Sequence, residues 1–189
     1  MKEIKVFGRG GQGAVTGAQV LATAAFFEGY WAQTFPQYGA ERRGAPVIAY
    51  VRLAHEEIAI RSKVYHPDVV IVMDFNLFKM TRPLDGIKTD GTVILNCREK
   101  NLNKLLEVNG KSGRFFCIDA TTIAREIYGP STIPITNVIL MGAYCAAQGD
   151  VSINSIYKAL AEYFPADKLE INRKAAQIGF ENLKEMSPA

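Results

Sequence analysis

Motifs for self-contained catalysis are scarce in this chain. Its three cysteines, Cys97, Cys117 and Cys145, stand far apart and form no C-x-x-C pair. That spacing argues against a zinc site or an iron–sulfur cluster carried by this chain alone. The start lacks the ordered regions of a signal peptide, so an odd cysteine count reads as buried free thiols. The two histidines, His55 and His66, fall in expected loops and outside any spacing such as H-E-x-x-H; a surface or turn role suits them better than catalysis. There is no G-x-S-x-G nucleophile elbow. Gly110-Lys111-Ser112 looks like the end of a phosphate loop, but Leu105 stands where its first glycine is required, which leaves a surface turn. A net charge of +3 with no basic run gives no ground for nucleic-acid binding. No apolar run approaches ~18 residues, so no membrane span is expected and the cytoplasm is the default location.

What the chain does have begins at its first residues. Lys2 to Phe7 alternate polar and apolar, as a strand does, and Val15 to Phe27 read as an apolar helix. Between them lie Gly8, Arg9, Gly10, Gly11, Gln12 and Gly13, whose glycines fit G-x-G-x-x-G. Strand, glycine-rich turn and helix together bring bare backbone N–H groups to a helix N-terminus, which attracts phosphate or carboxylate. The same glycines also serve close packing of helix on strand, and both readings stand. A nicotinamide cofactor is disfavoured. That use places an acid about 20 residues further on, where this chain has Gln33 and Thr34, followed only later by Glu41.

Hydrophobic content of 48% and 189 residues suffice for one domain with a full core. Further strands are expected at Tyr30–Phe35, ended by Pro36, and at Val47–Leu53, with Ile58–Arg61 as its hairpin partner. Asp68–Met73, Thr92–Leu95 and Arg114–Ile118 read as buried parallel strands. Helices are expected at Asn76–Met80, Leu102–Val108, from Asp119 to Tyr128, at Ile135–Gln148, at Ser152–Phe164 and at Ala166–Met186. Asp167 is a candidate cap for the last of these, and Ile171, Ala175 and Ile178 share its apolar face. The alternation predicts a single-domain α/β fold over residues 1–186. Its expected form is a three-layer α/β/α sandwich with a mixed, mostly parallel sheet, followed by a tail at 187–189. Asp68, Asp74, Asp85, Asp90 and Asp119 flank elements and read as caps or turn residues.

The loop 36–46 holds Tyr38, Glu41, Arg42 and Arg43 between turn formers. If the first two strands lie side by side, their carboxyl ends gather Arg9, Gln12, Tyr38, Glu41, Arg42 and Arg43 around one crevice. Arginine binds carboxylate and phosphate through two parallel hydrogen bonds and also anchors interfaces. Ligand site, subunit interface and solvated loop are the three readings of this loop.

Gly8-Arg9-Gly10-Gly11-Gln12-Gly13-Ala14-Val15, together with Ala32-Gln33-Thr34-Phe35-Pro36-Gln37-Tyr38-Gly39-Ala40-Glu41-Arg42-Arg43-Gly44-Ala45-Pro46-Val47, resembles the γ subunit of 2-oxoacid:ferredoxin oxidoreductases. The apolar helix beginning near Asn137 and the overall length extend the likeness over essentially the whole chain. Phe35-Pro36 with Glu41-Arg42-Arg43-Gly44-Ala45-Pro46 looks more like the pyruvate and branched-chain members than the 2-oxoglutarate ones. The resemblance implies a subunit, inactive alone, that works with α, β and δ subunits and through them with ferredoxin. The complex it implies oxidatively decarboxylates a 2-oxoacid, pyruvate in this reading, and joins the acyl group to coenzyme A. Thiamine diphosphate with Mg2+ and the iron–sulfur clusters are implied in other chains, and no cofactor is expected to be held by this one alone. Coenzyme A offers phosphates for the glycine turn and the arginines, and a partner subunit is the other candidate for the same surface. A stand-alone coenzyme-A- or nucleotide-binding protein, or a γ subunit of the 2-oxoglutarate type, is the alternative.

Overall fold

A computed structural model of the chain describes residues 1–38, 44–99, 101 and 113–186, with the side chain of Tyr38 outside the description. One sheet runs through the molecule: β1 (Lys2–Arg9), β2 (Trp31–Tyr38), β3 (Pro46–Ala54), β4 (Val69–Val72), β5 (Thr92–Asn96), β6 (Arg114–Ile118) and β7 (Lys184–Met186). Their order is β2-β3-β1-β4-β5-β6-β7. Strands β1, β4, β5 and β6 pair in parallel, while β3 runs antiparallel to both of its neighbours and β7 antiparallel to β6. β2 therefore points the same way as β1, and only β3 and β7 run against the rest. The fold is α/β with a mixed, mostly parallel sheet, as expected.

The helices are α1 (Ala14–Phe27), α2 (Ala120–Tyr128), α3 (Asn137–Gln148), α4 (Ile153–Tyr163) and α5 (Ala166–Glu181). Period-two alternation in the strands sorts the core into two faces. Ile4, Val6, Val69, Ile71, Ile94, Phe116 and Ile118 meet side chains of all five helices. Phe7, Val70, Val72, Val93, Leu95, Phe115 and Cys117 face the other way, under Leu77 and the Phe75, Phe78, Leu84 and Ile87 side chains. That second layer contains a short 3-10 helix, Phe75–Lys79, capped by Asp74. α3 is apolar all round and buried along nearly its whole length, which places it in the middle of the helix layer.

Several expected boundaries move. β2 continues through Pro36 to Tyr38. It is an edge strand, where a residue without an N–H is tolerated. Ile58–Arg61 forms no strand, because β3 is already hydrogen-bonded on both sides. The last helix stops at Glu181, and Lys184–Met186 then turn back as β7. Pro165, not Asp167, holds its N-cap position, and its buried face is Asn172, Ala175, Ala176 and Gly179. The expected helix at 102–108, the turn at 110–112 and the tail at 187–189 lie outside the described residues.

Candidate functional site

The carboxyl ends of β1, β4, β5 and β6 lie on one side of the sheet. From β1 the chain passes toward β2 and β3, and from β4 toward β5 and β6, so the gap between β1 and β4 is a topological switch point. Crevices for ligands in open α/β sheets form at such points. A cleft of about 390 Å³ opens here, lined by Arg9 and Gln12 from the first turn, Asp74 after β4, Asn96 ending β5, Arg98, and Asp119 and Arg125 beyond β6.

The glycine turn is built as expected for a strand–turn–helix, and most of its polar groups are used internally. The Gln12 N–H donates to the Arg9 carbonyl at 2.9 Å, and the Arg9 N–H donates to Gln12 Oε1 at 2.8 Å. Gly10 N–H donates to the Ala45 carbonyl at 2.9 Å, and Gly44 N–H returns to the Gly10 carbonyl at 3.2 Å. The turn is thus stitched to the residues just before β3. Arg9 Nη1 donates to Asp74 Oδ2 at 2.9 Å across the β1–β4 gap. Gly13 has φ 78° and ψ 29° at the N-cap of α1, a left-handed conformation that favours glycine. A Cβ there would sit 2.5 Å from Asn137 Nδ2, and one on Gly8 would sit 2.7 Å from Ala14 Cβ. Glycine at these two positions lets α1 close onto β1 and lets α3 approach the α1 N-terminus. That terminus has no side-chain cap and no acid in its first turn, so its positive end is uncompensated by the helix itself.

The floor of the cleft is set by Asn96, which is buried. Its Nδ2 donates to the Met73 carbonyl at 2.7 Å and to Thr121 Oγ1 at 2.9 Å, and its Oδ1 accepts the Thr121 N–H at 3.1 Å. One amide therefore ties β4, β5 and α2 together. Asp119 accepts the Thr122 N–H at 3.1 Å as the α2 cap and pairs with Arg98 at 3.1 Å. Burial pushes its carboxyl upward, but the hydrogen bonds from Thr122 and the Arg98 charge outweigh this and hold it below the usual carboxylate range. In an adjoining cleft of about 520 Å³ lie Cys97 and Cys117. Burial pushes the Cys97 thiol up to about 12 and raises that of Cys117. All three cysteines are free and buried, and thiols held this high stay protonated and unreactive at neutral pH.

Of the residues singled out in the sequence, Gly8, Arg9, Gly10, Gly11, Gln12 and Gly13 meet at the turn, with Arg9 and Gln12 on the cleft. The first two strands, expected side by side, are not neighbours, because β3 lies between them. The cleft opens on the other side of β1. The Tyr38 backbone pairs with Val47 at the same end of the sheet; its side chain and Glu41, Arg42 and Arg43 lie outside the described residues. Asp74 and Asp119 cap helices, as expected of them. Sequence reasoning missed Asn96 and Asn137. Asn96 carried a signal, a polar residue closing an apolar run at a strand's carboxyl end. Asn137 read only as the start of an apolar helix, and nothing local in the sequence pairs it with Gly13.

The chain is similar to known proteins along its length. A family model described as pyruvate ferredoxin/flavodoxin oxidoreductase matches residues 3–182. The pyruvate/ketoisovalerate oxidoreductases common subunit gamma of Pyrococcus abyssi is 44% identical over 181 residues, 96% of each chain. Pyruvate synthase subunit PorC of Methanocaldococcus jannaschii is 41% identical over 183 residues, 97% of each chain. The crystal structure of pyruvate oxidoreductase subunit PORC from Thermotoga maritima superposes with a TM-score of 0.81 at 32% identity, covering 98% of both chains.

Proposed function

The chain belongs to the pyruvate ferredoxin/flavodoxin oxidoreductase family, and from that membership we propose that it is the gamma subunit of a multi-subunit 2-oxoacid:ferredoxin oxidoreductase acting on pyruvate. The observation that carries this reading is the end-to-end match to gamma and PorC subunits, which covers nearly all of both chains. The reaction of the assembled complex joins the acyl group left by decarboxylation to coenzyme A and passes electrons to ferredoxin. Its partners in this proposal are α, β and δ subunits, which hold thiamine diphosphate, Mg2+ and the iron–sulfur clusters. Cofactors carry such chemistry, and a subunit without one contributes shape, docking and electrostatics.

The glycine turn and the loop 36–46 form, in this proposal, a docking surface for a partner subunit. Three contacts favour that over a phosphate cradle for coenzyme A. Asp74 already neutralises Arg9 and sets a carboxylate 2.9 Å from it. Gly10 N–H is bonded to Ala45, and Gln12 N–H is bonded within the turn. An incoming phosphate would meet one acid and compete for two occupied donors, which supports docking as the role of this turn.

Co-expression with and without this chain tests the assignment. The full complex is expected to reduce a one-electron acceptor with pyruvate and coenzyme A, and the isolated chain to do nothing. Undiminished activity and assembly in its absence would refute the subunit role; preference for 2-oxoglutarate would refute the substrate. Charge reversal of Arg42 and Arg43 separates the two roles of the loop. Lost assembly supports docking, whereas intact assembly with a raised KM for coenzyme A supports ligand binding.

A further inference from the structure

The two edges of the sheet are treated differently. β7 is three residues long and carries Lys184 and Glu185, the short charged form that discourages further pairing. β2 is eight residues long, Trp-Ala-Gln-Thr-Phe-Pro-Gln-Tyr, without one charged side chain. Its outer side borders an open cavity of about 370 Å³ lined by Gln33, Thr34, Phe35 and Arg61. Trp31, at the start of the strand, is 53% exposed, and Phe26 and Phe27, just before it at the end of α1, are 67% and 42% exposed. A long uncharged edge beside exposed aromatic rings is a template for another strand.

We propose that β2 pairs antiparallel with β2 of a second copy of this chain, about a two-fold axis through Gln33. An antiparallel edge is self-complementary, and a two-fold pair closes without leaving a further free edge of the same kind. Centring on Gln33 sets Trp31 opposite Phe35 and Ala32 opposite Thr34 in both directions. Pro36, which has no N–H to donate, falls outside this window. Trp31, Gln33 and Phe35 share the sheet face on which Phe35 packs against Tyr50 and under Arg52. The partner's Trp31 then enters the cavity beside Phe35, with the Arg61 guanidinium at its rim as a cation for the indole face. Among the described residues Arg61 makes no ion pair that would hold it elsewhere. Gln33 gives its Oε1 to Arg52 at 3.2 Å, and its amide nitrogen meets the other Gln33 at the axis. On the opposite face, α1 overlies β2 and β3, so the two α1 helices come side by side and cover Phe26 and Phe27. A stable dimer buries about 800 Å² per partner. Three aromatic residues of this exposure supply on the order of 300 Å² of that, and the paired strands and flanking helices supply the rest.

Sedimentation equilibrium of the isolated chain at tens of micromolar is expected to show a dimer. Thr34→Lys and Trp31→Ala should each weaken association by at least about tenfold. Trp31→Ala removes a half-exposed ring, so folding, checked by circular dichroism, survives even where Thr34→Lys impairs it. Directly opposed residues have Cβ atoms about 4.5–5.5 Å apart, close enough for a disulfide after small adjustment. Gln33→Cys should therefore cross-link the dimer under mild oxidation, and Glu126→Cys on the helix layer should not. A monomer at these concentrations, or a dimer that both edge substitutions leave unchanged, overturns the proposal. Neither result bears on the activity of the assembled complex, so this inference and the subunit assignment fail separately.

Discussion

Replacing Gly142 by alanine sets two effects of opposite sign against each other. In a helix interior, alanine is favoured over glycine by about 1 kcal/mol, so propensity alone predicts a more stable protein. The crossing of α3 and α5 predicts the reverse. A Cβ on Gly142 would lie 1.9 Å from the carbonyl oxygen of Ala176, and a Cβ on Gly179 would lie 1.9 Å from that of Ile139. Each helix receives the other's backbone where it has no side chain. Ordinary contact begins near 3.4 Å, so relief requires the axes to part by 3.4 − 1.9 = 1.5 Å. The obstacle is backbone, which cannot swing aside as a side chain does. Overpacking a core costs about 1–3 kcal/mol, and a gap of only 0.5–1 Å already forfeits about a quarter to a half of each dispersion contact along its lining. Ile139, Ala143, Ala175 and Ala176 are fully buried at or beside this crossing and lose contacts together. The net expectation, with the overpacking cost at the top of its range because the obstacle is backbone, is a loss of about 2 kcal/mol after the propensity gain. Urea unfolding followed by far-ultraviolet circular dichroism measures it. Gly179→Ala should behave alike, and the double variant should fall short of the sum because both open the same crossing. A Gly142→Ala protein as stable as the parent, or more so, would refute the close-crossing argument.

Other substitutions probe the rest of the frame. Arg52 is 1% exposed and donates to Glu3 Oε1, Gln33 Oε1 and the carbonyls of Ile60 and Ser62. Arg52→Met strands a part-buried carboxylate and should cost about 3 kcal/mol, with trypsin cleavage at Arg61 and Lys63 accelerated as the 58–63 segment loosens. Hydrogen bonds from Ser152 and Ser155 hold the Glu28 carboxyl below its usual range. The stability it lends is thus present above the unfolded pKa and is lost as pH falls through the folded one. Glu28→Gln should be less stable than the parent at neutral pH, and the difference should shrink below about pH 4; equal deficits at pH 7 and pH 3 would contradict this. Asp74→Asn breaks the ion pair with Arg9 and should lower the melting temperature by roughly 2–4 °C, for about 1 kcal/mol. Native protein at pH 8 should leave Cys97, Cys117 and Cys145 untouched by a thiol reagent that titrates all three after unfolding; rapid native labelling of Cys97 would contradict its raised pKa.

The parts of the fold that were readable were those in which local pattern and tertiary role coincide. Arg114–Ile118 is a strand in both readings because an apolar run buried on both faces needs no partner to be recognised. Asp119 and Ser152 announce helix starts by capping chemistry that acts within three residues. Errors arose where the deciding partner is distant. Pro36 was expected to end β2, and only the position of β2 at the sheet edge permits it inside. Ile58–Arg61 has the composition of a strand but finds both sides of β3 occupied. Lys184–Met186 continues a helical pattern until β6 offers an edge for it. In the site, the turn was legible from its glycines, whereas its closure by Asp74 and Ala45 depends on β3 and β4 flanking β1. That strand order has no local sequence signature.

The same strand order explains why a fold that often binds nucleotides is compatible with the docking role proposed here. In an open α/β sheet the switch point is where backbone N–H groups and basic side chains are left unpaired for a ligand. In this chain β3 inserts beside β1, and just before it the Ala45 carbonyl accepts from Gly10 N–H while Gly44 N–H donates to the Gly10 carbonyl; the residue after β4, Asp74, pairs with Arg9. Asn96 then fastens the neighbouring strand ends to α2. The Gly10 and Gln12 N–H groups and the Arg9 guanidinium are thus engaged within the described residues. What the turn loses in free donors it gains in internal bonding, and the docking proposed for this surface rests on that exchange.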